Sequence, residues 1–350
     1  MTDYTLHCGD CVDYMATMGD NSVDLIATDP PYHRVKMTEA WDRQHKTAAD
    51  FLSWLDTVLA QFARILKPNG SLYLFASPRM AARVEVLIGE RLNVLNHITW
   101  EKERDRGKHA ASCKEVLREY FPNTERIIFA EHYGADNIAK GEAGYAAKCD
   151  ELRGFVFEPL RAYLDGERER AGVTKQQISQ HLQWSPTKIS HYLDSKRDWW
   201  RMITADSYSS LRQALSSLNH GGQYLQRPYE ELRTEYEELR TEYEELRRPF
   251  AVSADVPYTD VWTFPTVQAY QGKHPCEKPL PMMEHIILAS SKAGATVFDP
   301  FMGSGSTGVA AIKHGRSFIG CDLSERWVNR TRQRIETEAR TVQPALLEVA

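Results

Sequence analysis

Apolar positions along this chain follow two spacings in alternation. Phe51, Leu52, Leu55, Val58, Leu59, Phe62 and Leu66 recur at helical spacing and predict a helix with one buried face. Lys67-Pro68-Asn69-Gly70 then reads as a turn and Ser71 to Ala76 as a buried strand. Upstream, Thr5 to Tyr32 reads as a short helix followed by the strand-like run Ser22 to Thr28, which Pro30 and Pro31 must end. Pro78 to Leu92 predicts a further helix, and Leu95 to Trp100 and Arg126 to Ala130 predict strands, so residues 1–133 alternate as an α/β sheet does. The rhythm returns near the end, with a helix over Pro281 to Ser290, a strand over Thr296 to Phe298, a helix from Thr307, a strand over Ser317 to Cys321 and a helix over Glu325 to Glu338. The expectation is one sheet built from both ends of the chain.

Residues 134–257 break that rhythm and read as a helical, polar insert. Tyr229, Leu232, Tyr236, Leu239, Tyr243 and Leu246 form one stripe of a seven-residue repeat, bracketed by Pro228 and Pro249. The stripe would pack on its own domain or pair with a second subunit. Gly172 to Leu182 and Ser185 to Leu193 read as two short helices joined at Gln183 and Trp184, like a DNA-binding helix-turn-helix. Ile178, Leu182, Ile189 and Leu193 would form its small core, leaving Thr187, Lys188 and His191 exposed to read DNA. A purely structural helical hairpin is the alternative.

Charge sharpens this division. The 350 residues carry a net charge of -5, which argues against attachment to nucleic acid by bulk charge. Residues 229–248 alone hold eight Glu and four Arg, whereas 166–220 hold eight Lys and Arg against five Asp and Glu. A local basic face is therefore available in the insert. No apolar stretch approaches the roughly 18 residues of a membrane helix, and Met1 to Met15 lacks the basic start and apolar core of a signal peptide. A cytosolic protein is therefore expected, and six scattered cysteines predict reduced thiols. Cys8 and Cys11 lack the further ligands that a zinc site needs.

Two segments carry chemistry. Asp299-Pro300-Phe301-Met302-Gly303-Ser304-Gly305 follows a strand and opens a helix, so its glycines let a ligand approach the backbone at a helix N-terminus. No Lys follows in the position a phosphate-binding loop requires, which argues against ATP or GTP. Asp322 ends the next strand, where a carboxylate can accept hydrogen bonds from ribose hydroxyls. A tight turn with Asp322 as a helix cap would account for the same residues. Asp29-Pro30-Pro31-Tyr32 sets a carboxylate beside a proline carbonyl, two acceptors suited to an amine with two hydrogens, and Tyr32 offers a ring to stack on the base carrying that amine.

Together these motifs resemble the S-adenosylmethionine-dependent amino-group DNA methyltransferases of the permuted beta group, in which the catalytic tetrapeptide precedes the cofactor loop. Cys8-Gly9-Asp10-Cys11 resembles the family's element whose Asp contacts the cofactor adenine, and His274 to Pro279 its HPxxKP segment, which contains Lys278. The likeness covers about 1–133 and 258–340. It implies a Rossmann-like α/β fold with a mostly parallel seven-stranded sheet flanked by helices. It also implies a catalytic half over 1–133, a cofactor-binding half over 258–350, and a target-recognition insert over 134–257 with the helix-turn-helix-like segment at 172–194 and the heptad helix at 229–248. Catalysis would fall to Asp29, Pro30, Pro31 and Tyr32, and S-adenosylmethionine to Asp10, Lys278, Asp299, Phe301, Gly303, Ser304, Gly305 and Asp322, with no metal. The implied reaction is methylation of adenine N6 in duplex DNA by base flipping. Cytosine N4 is the alternative within the family, and a non-catalytic DNA-binding regulator the alternative outside it. The setting would be bacterial or phage-encoded, cytoplasmic and nucleoid-associated, with a homodimer or a cognate restriction endonuclease as further partners. The loops Arg34 to Gln44 and Glu103 to Lys114 are the next candidates for touching DNA.

Overall fold

The computed structural model describes residues 3–33, 35, 38–39, 41–103, 123–132, 144–194, 200–246, 248–251 and 259–347, with 103, 144–156, 242–246 and 339–347 described through their backbone alone. Arg34 and residues 104–114, expected near DNA, lie outside the described residues, as do the side chains of Tyr243 and Leu246. In chain order the elements are β1 (Tyr4–Cys8), α1 (Cys11–Ala16), β2 (Val23–Thr28), α2 (Ala48–Ile65), β3 (Leu66–Ala76), α3 (Ala81–Gly89), β4 (Asn93–Glu103) and β5 (Thr124–Glu131). Then come α4 (Gly144–Arg170), α5 (Lys175–Leu182), α6 (Pro186–Leu193), α7 (Ala205–Leu218) and α8 (Tyr229–Leu246). The chain ends with β6 (Val261–Pro265), α9 (Leu280–Ser290), β7 (Thr296–Asp299), α10 (Ser306–Lys313), β8 (Ser317–Asp322) and α11 (Glu325–Leu347). Two compact units result: Met1–Ala135 with Arg248–Ala350, and Asp136–Arg247.

The first unit is a Rossmann-like α/β layer structure around a sheet ordered β1-β8-β7-β2-β3-β5-β4-β6. Among the described residues it has eight strands where seven were expected. Both β1 and β6 lie at sheet edges and pair on one side only, with β1 parallel to β8 and β6 parallel to β4. Edge strands need no apolar run: β6 buries only Trp262 and ends at Pro265. The expected turn Lys67–Gly70 lies within β3, as an irregularity where the pairing with β2 jumps from Val23↔Leu66 to Leu25↔Ser71.

Alternating side chains of the central strands feed two cores. Ile26, Leu72, Leu74 and Ile128 face Met15 of α1 and Phe51, Leu55, Leu59 and Phe62 of α2. Leu25, Ala27, Phe75 and Ile127 face Met283, Ile286, Val309, Ala310 and Ile335 of α9, α10 and α11. Each Val, Leu, Ile, Phe or Met among them contributes roughly 1.5–3 kcal/mol when removed from water. Helix α2 starts where Thr47 and Asp50 form a reciprocal capping box. Both faces of the sheet are thus covered, leaving its strand ends to carry the chemistry.

The second unit is helical and has its own core, in which Leu160, Leu164, Ile178, Ile189, Leu193, Tyr208, Leu211 and Leu232 are buried. The α8 stripe is used inside this unit. Tyr236 stacks on Phe157 at 5.8 Å, Leu232 is fully enclosed, and the Tyr229 hydroxyl donates to the Ile203 carbonyl at 3.1 Å. Tyr229 to Leu239 therefore pack intramolecularly, the first of the two expectations for the stripe. Helix α5 begins with a Thr174–Gln177 capping box and ends at Gln183 in the left-handed region, and Ser185 caps α6 with Pro186 in its first turn. Of the expected reading residues, Thr187 is exposed, but Lys188 and His191 are half-buried. The Lys188 ammonium lies over the Trp184 ring at 4.1 Å, which explains its reduced exposure. Among the described residues no helix is long and apolar enough to cross a membrane.

Candidate active site

Strand β2 leads to β3 on one side while β7 leads to β8 on the other, so the junction between β7 and β2 is the point where the direction of winding reverses. A crevice opens at the carboxyl ends of strands at such a point. Gly9 and Asp10 follow β1, Asp29 follows β2, Asp299 ends β7 and Asp322 ends β8, so every chemistry-bearing segment lies at this one edge. They line a cavity of about 470 Å³, within the roughly 300–1,000 Å³ of small-molecule sites.

Asp29 is mostly buried, and its two oxygens differ. Oδ2 lies 2.5 Å from the Lys278 Nζ, whereas Oδ1 is buried with no hydrogen-bond partner. The Lys278 ammonium also reaches Glu125 Oε2 at 3.2 Å and the Tyr32 hydroxyl at 3.2 Å. Tyr32 in turn donates to Glu125 Oε2 at 2.9 Å, and Lys102 closes the chain of charges 2.5 Å from Glu125 Oε1. Burial raises the pKa of Asp29; the Lys278 ammonium opposes this and the Glu125 carboxylate adds to it. Burial also pushes Glu125 up, but Lys278 and Lys102 outweigh it and hold the carboxyl down to about 2. Tyr32 is raised well above the usual phenol value by burial and by both carboxylates. The Asp42 carboxylate accepts the Tyr32 backbone N–H at 2.8 Å, which fixes the turn after the prolines.

The glycine-loop side is held by carboxylates in different ways. Asp322 accepts the Gly303 N–H at 3.0 Å on one oxygen and the Ser324 N–H at 2.8 Å on the other, and burial raises its pKa. Asp10 caps α1 through the N–H groups of Val12 and Asp13. Asp299 spends both oxygens within the chain, on the Thr28 and Thr307 hydroxyls at 2.7 Å each and the Phe301 N–H at 3.1 Å. It is therefore a brace joining β2, the loop and α10. Burial lifts its pKa to about 6 against those bonds.

Asp10, Asp29, Pro30, Pro31, Tyr32, Lys278, Asp299, Phe301, Gly303, Ser304 and Asp322 all border the cavity. Gly305 does not. Its φ is 81°, and a Cβ there would meet Thr331 of α11 at 2.5 Å, so glycine serves the turn and the packing of α11. At Gly303, with φ 47°, a Cβ would come within 3.2 Å of the His274 ring. Lys278, expected to hold cofactor, sits in the Asp29 corner. His274 packs against Trp327 at 4.6 Å and faces Trp41 at 6.3 Å, which makes an aromatic wall beside Asp322 and Gly303. The sequence carries no motif for Trp41, Glu125 or Lys102. A charged residue in a strand was the one available signal for the last two. Among the described residues no group of three His, Cys, Asp or Glu could hold a metal ion.

Residues 23–333 match the family described as DNA methylase. The curated relatives include the Type II methyltransferase M2.DpnII of Streptococcus pneumoniae, 47% identical over 85 residues, a stretch spanning 23% of this chain and 32% of that relative. The DNA adenine methyltransferase YhdJ of Escherichia coli (strain K12) is 22% identical over 341 residues, 95% of this chain and 82% of that relative. Among solved structures, the PvuII DNA methyltransferase, cytosine-N4-specific, shares the fold with a TM-score of 0.52 at 11% identity, covering 98% of this chain and 93% of that one.

Proposed function

The chain belongs to the DNA methylase family, and from that membership we propose that it transfers a methyl group from S-adenosylmethionine to the N6 amino group of adenine in duplex DNA. The observation that carries the choice of site is Asp29, which borders the cavity and whose Oδ1 is buried without a partner while Oδ2 is occupied by Lys278. An unpaired buried acceptor is costly, and an amine hydrogen relieves that cost. Asp29 Oδ1 and the Pro30 carbonyl receive the two amino hydrogens and draw the nitrogen lone pair out of conjugation. Tyr32, its hydroxyl tied to Glu125 and Lys278, holds its ring rigid at the cavity wall for the extruded base.

The residues on the other side fit the nucleoside part of the methyl donor. Asp322 keeps acceptor capacity beside the Gly303 backbone for ribose hydroxyls, and the wall of His274, Trp327 and Trp41 offers apolar faces for adenine. Asp10, Phe301 and Ser304 border the same space. When bound, S-adenosylmethionine supplies an electrophilic methyl group on a sulfonium. Asp29 contributes orientation and polarisation, because the amine loses a proton readily once methylated. The paired helices α5 and α6 supply the face that meets DNA, with Thr187 exposed and Lys188 and His191 at its margin. The work is done in the cytoplasm, on the nucleoid.

Incubating the purified chain with S-adenosylmethionine and mixed-sequence duplex DNA, then digesting to nucleosides for mass spectrometry, tests this reading. N6-methyladenine is the expected product. N4-methylcytosine alone would overturn the choice of base, and no methylated nucleoside the reaction itself.

A further inference from the structure

Strand β5 runs antiparallel to β3, with Ala76 opposite Arg126. That reversal places the beginning of β5, not its end, at the edge where Asp29 stands. Strand β4 is antiparallel to β5 in turn, so its last residues arrive at the same edge. In consequence two residues with no motif of their own, Glu125 near the start of β5 and Lys102 near the end of β4, meet the Asp29 corner. The charges alternate along Lys102, Glu125, Lys278 and Asp29, and the four side chains are 8–17% exposed.

An ammonium has three hydrogens and no acceptor. That of Lys278 has three oxygens within 3.2 Å: Asp29 Oδ2, Glu125 Oε2 and the Tyr32 hydroxyl. Its donors are all occupied, and none is left for a ligand. We propose that Lys278 and Glu125 are positioning residues for methyl transfer: Glu125 anchors the ammonium, and the ammonium holds Asp29 ionised through Oδ2, leaving Oδ1 for the target amine. This inference rests on the methyltransfer reading of the site. It moves Lys278 from the cofactor to the target amine and adds Glu125 to the machinery.

The charged neighbours fix the sign of the effect. Asp29 faces Lys278 from the segment before α9, Glu125 from β5, Tyr32 from its own turn and Asp299 from the end of β7. Lys278 also has Cys276 beside it, and Glu125 has Lys102. Removing the ammonium leaves two carboxylates facing each other in a buried corner, so Asp29 should gain a proton at a higher pH. Removing the Glu125 charge leaves Asp29 with the ammonium alone, so it should keep its charge to a lower pH.

The test is the pH dependence of single-turnover methyl transfer to duplex DNA, at saturating cofactor, for the wild type, Lys278→Met, Lys278→Arg and Glu125→Gln. The acid limb of the rate should move to higher pH in Lys278→Met and to lower pH in Glu125→Gln, with Lys278→Arg nearer the wild type. Cofactor affinity, read by calorimetry, should stay within threefold in each. Acid limbs unmoved in both charge-removing variants, or shifted the same way, would overturn the proposal. So would a tenfold or greater loss of cofactor affinity in Lys278→Met, which would return that residue to the cofactor. If Lys278→Met does not fold, Glu125→Gln, which keeps the side-chain shape and an acceptor for Tyr32, decides alone. A wild type that methylates no DNA overturns the methyltransfer reading itself. An active wild type with unmoved variants overturns only this inference.

Discussion

Replacing Asp299 by asparagine keeps the shape of a buried side chain and removes its charge. The wild-type carboxyl is 4% exposed, with a pKa of about 6 against the unperturbed 3.8, chiefly because burial disfavours the anion. The folded protein thus binds a proton at Asp299 more readily than the unfolded chain does. Protonation therefore adds stability, present in full below about pH 3.8 and lost as pH rises through about 6, and the difference corresponds to about 3 kcal/mol. Asparagine does not titrate. Its carbonyl oxygen can keep the Thr28 hydroxyl and the Phe301 N–H, while its amide turns to Thr307, whose hydroxyl has the Ala27 carbonyl as an alternative acceptor 3.5 Å away. Urea unfolding of both proteins across pH should show the wild type gaining on Asp299→Asn by about 2 kcal/mol between about pH 7.5 and about pH 4.5. A difference that is flat over this range, or that grows toward alkaline pH, would refute the account of Asp299 as a desolvated brace.

Three further outcomes follow from the geometry. Asp29→Ala should lower methyl transfer by at least about 100-fold, consistent with the roughly 2.7–4 kcal/mol carried by one positioned polar group, while calorimetry finds cofactor affinity within about twofold of wild type. Gly305→Leu should lower the thermal midpoint as well as activity, because its Cβ collides with Thr331 at a positive φ. A variant that melts like wild type but loses cofactor would show that Gly305 borders the ligand after all. Replacing Lys188 and His191 by Ala should weaken DNA binding or relax the methylated context with cofactor affinity unchanged. A phosphate contact would show as a salt slope shallower by about 0.9, a base contact as roughly 1–3 kcal/mol at one base pair. Unchanged affinity, slope and context would make α6 structural only.

Much of the site was legible because its chemistry is local. Asp29 to Tyr32 and Asp299 to Ser304 each carry a strand end, a turn and functional groups within a few residues, and they border one cavity. What escaped depends on distant pairing. Glu125 stands 93 residues from Tyr32, to which it is hydrogen bonded, and nothing in its own segment distinguishes a charge turned to the site from one turned to solvent. Strands β1 and β6 escaped for a different reason: an edge strand buries too little to leave an apolar run. The heptad spacing revealed the α8 stripe but not its partner, since a stripe looks the same whether it meets Phe157 and Trp200 or a second chain. Gly305 shows the converse, a residue found by its motif whose steric role is supplied by Thr331 on a helix remote in sequence.

The central claim is that Asp29 presents an acceptor to the amino group of adenine in DNA. Its most direct test is to express the chain, and separately Asp29→Ala, in a bacterial host lacking adenine methylation, and to read the host DNA by long-read sequencing that reports the modified base and its context together. The expected result is N6-methyladenine in one recurring sequence context with the wild type and none with Asp29→Ala. Modification on cytosine N4, no modified base with the wild type, or equal methylation by both proteins would contradict it.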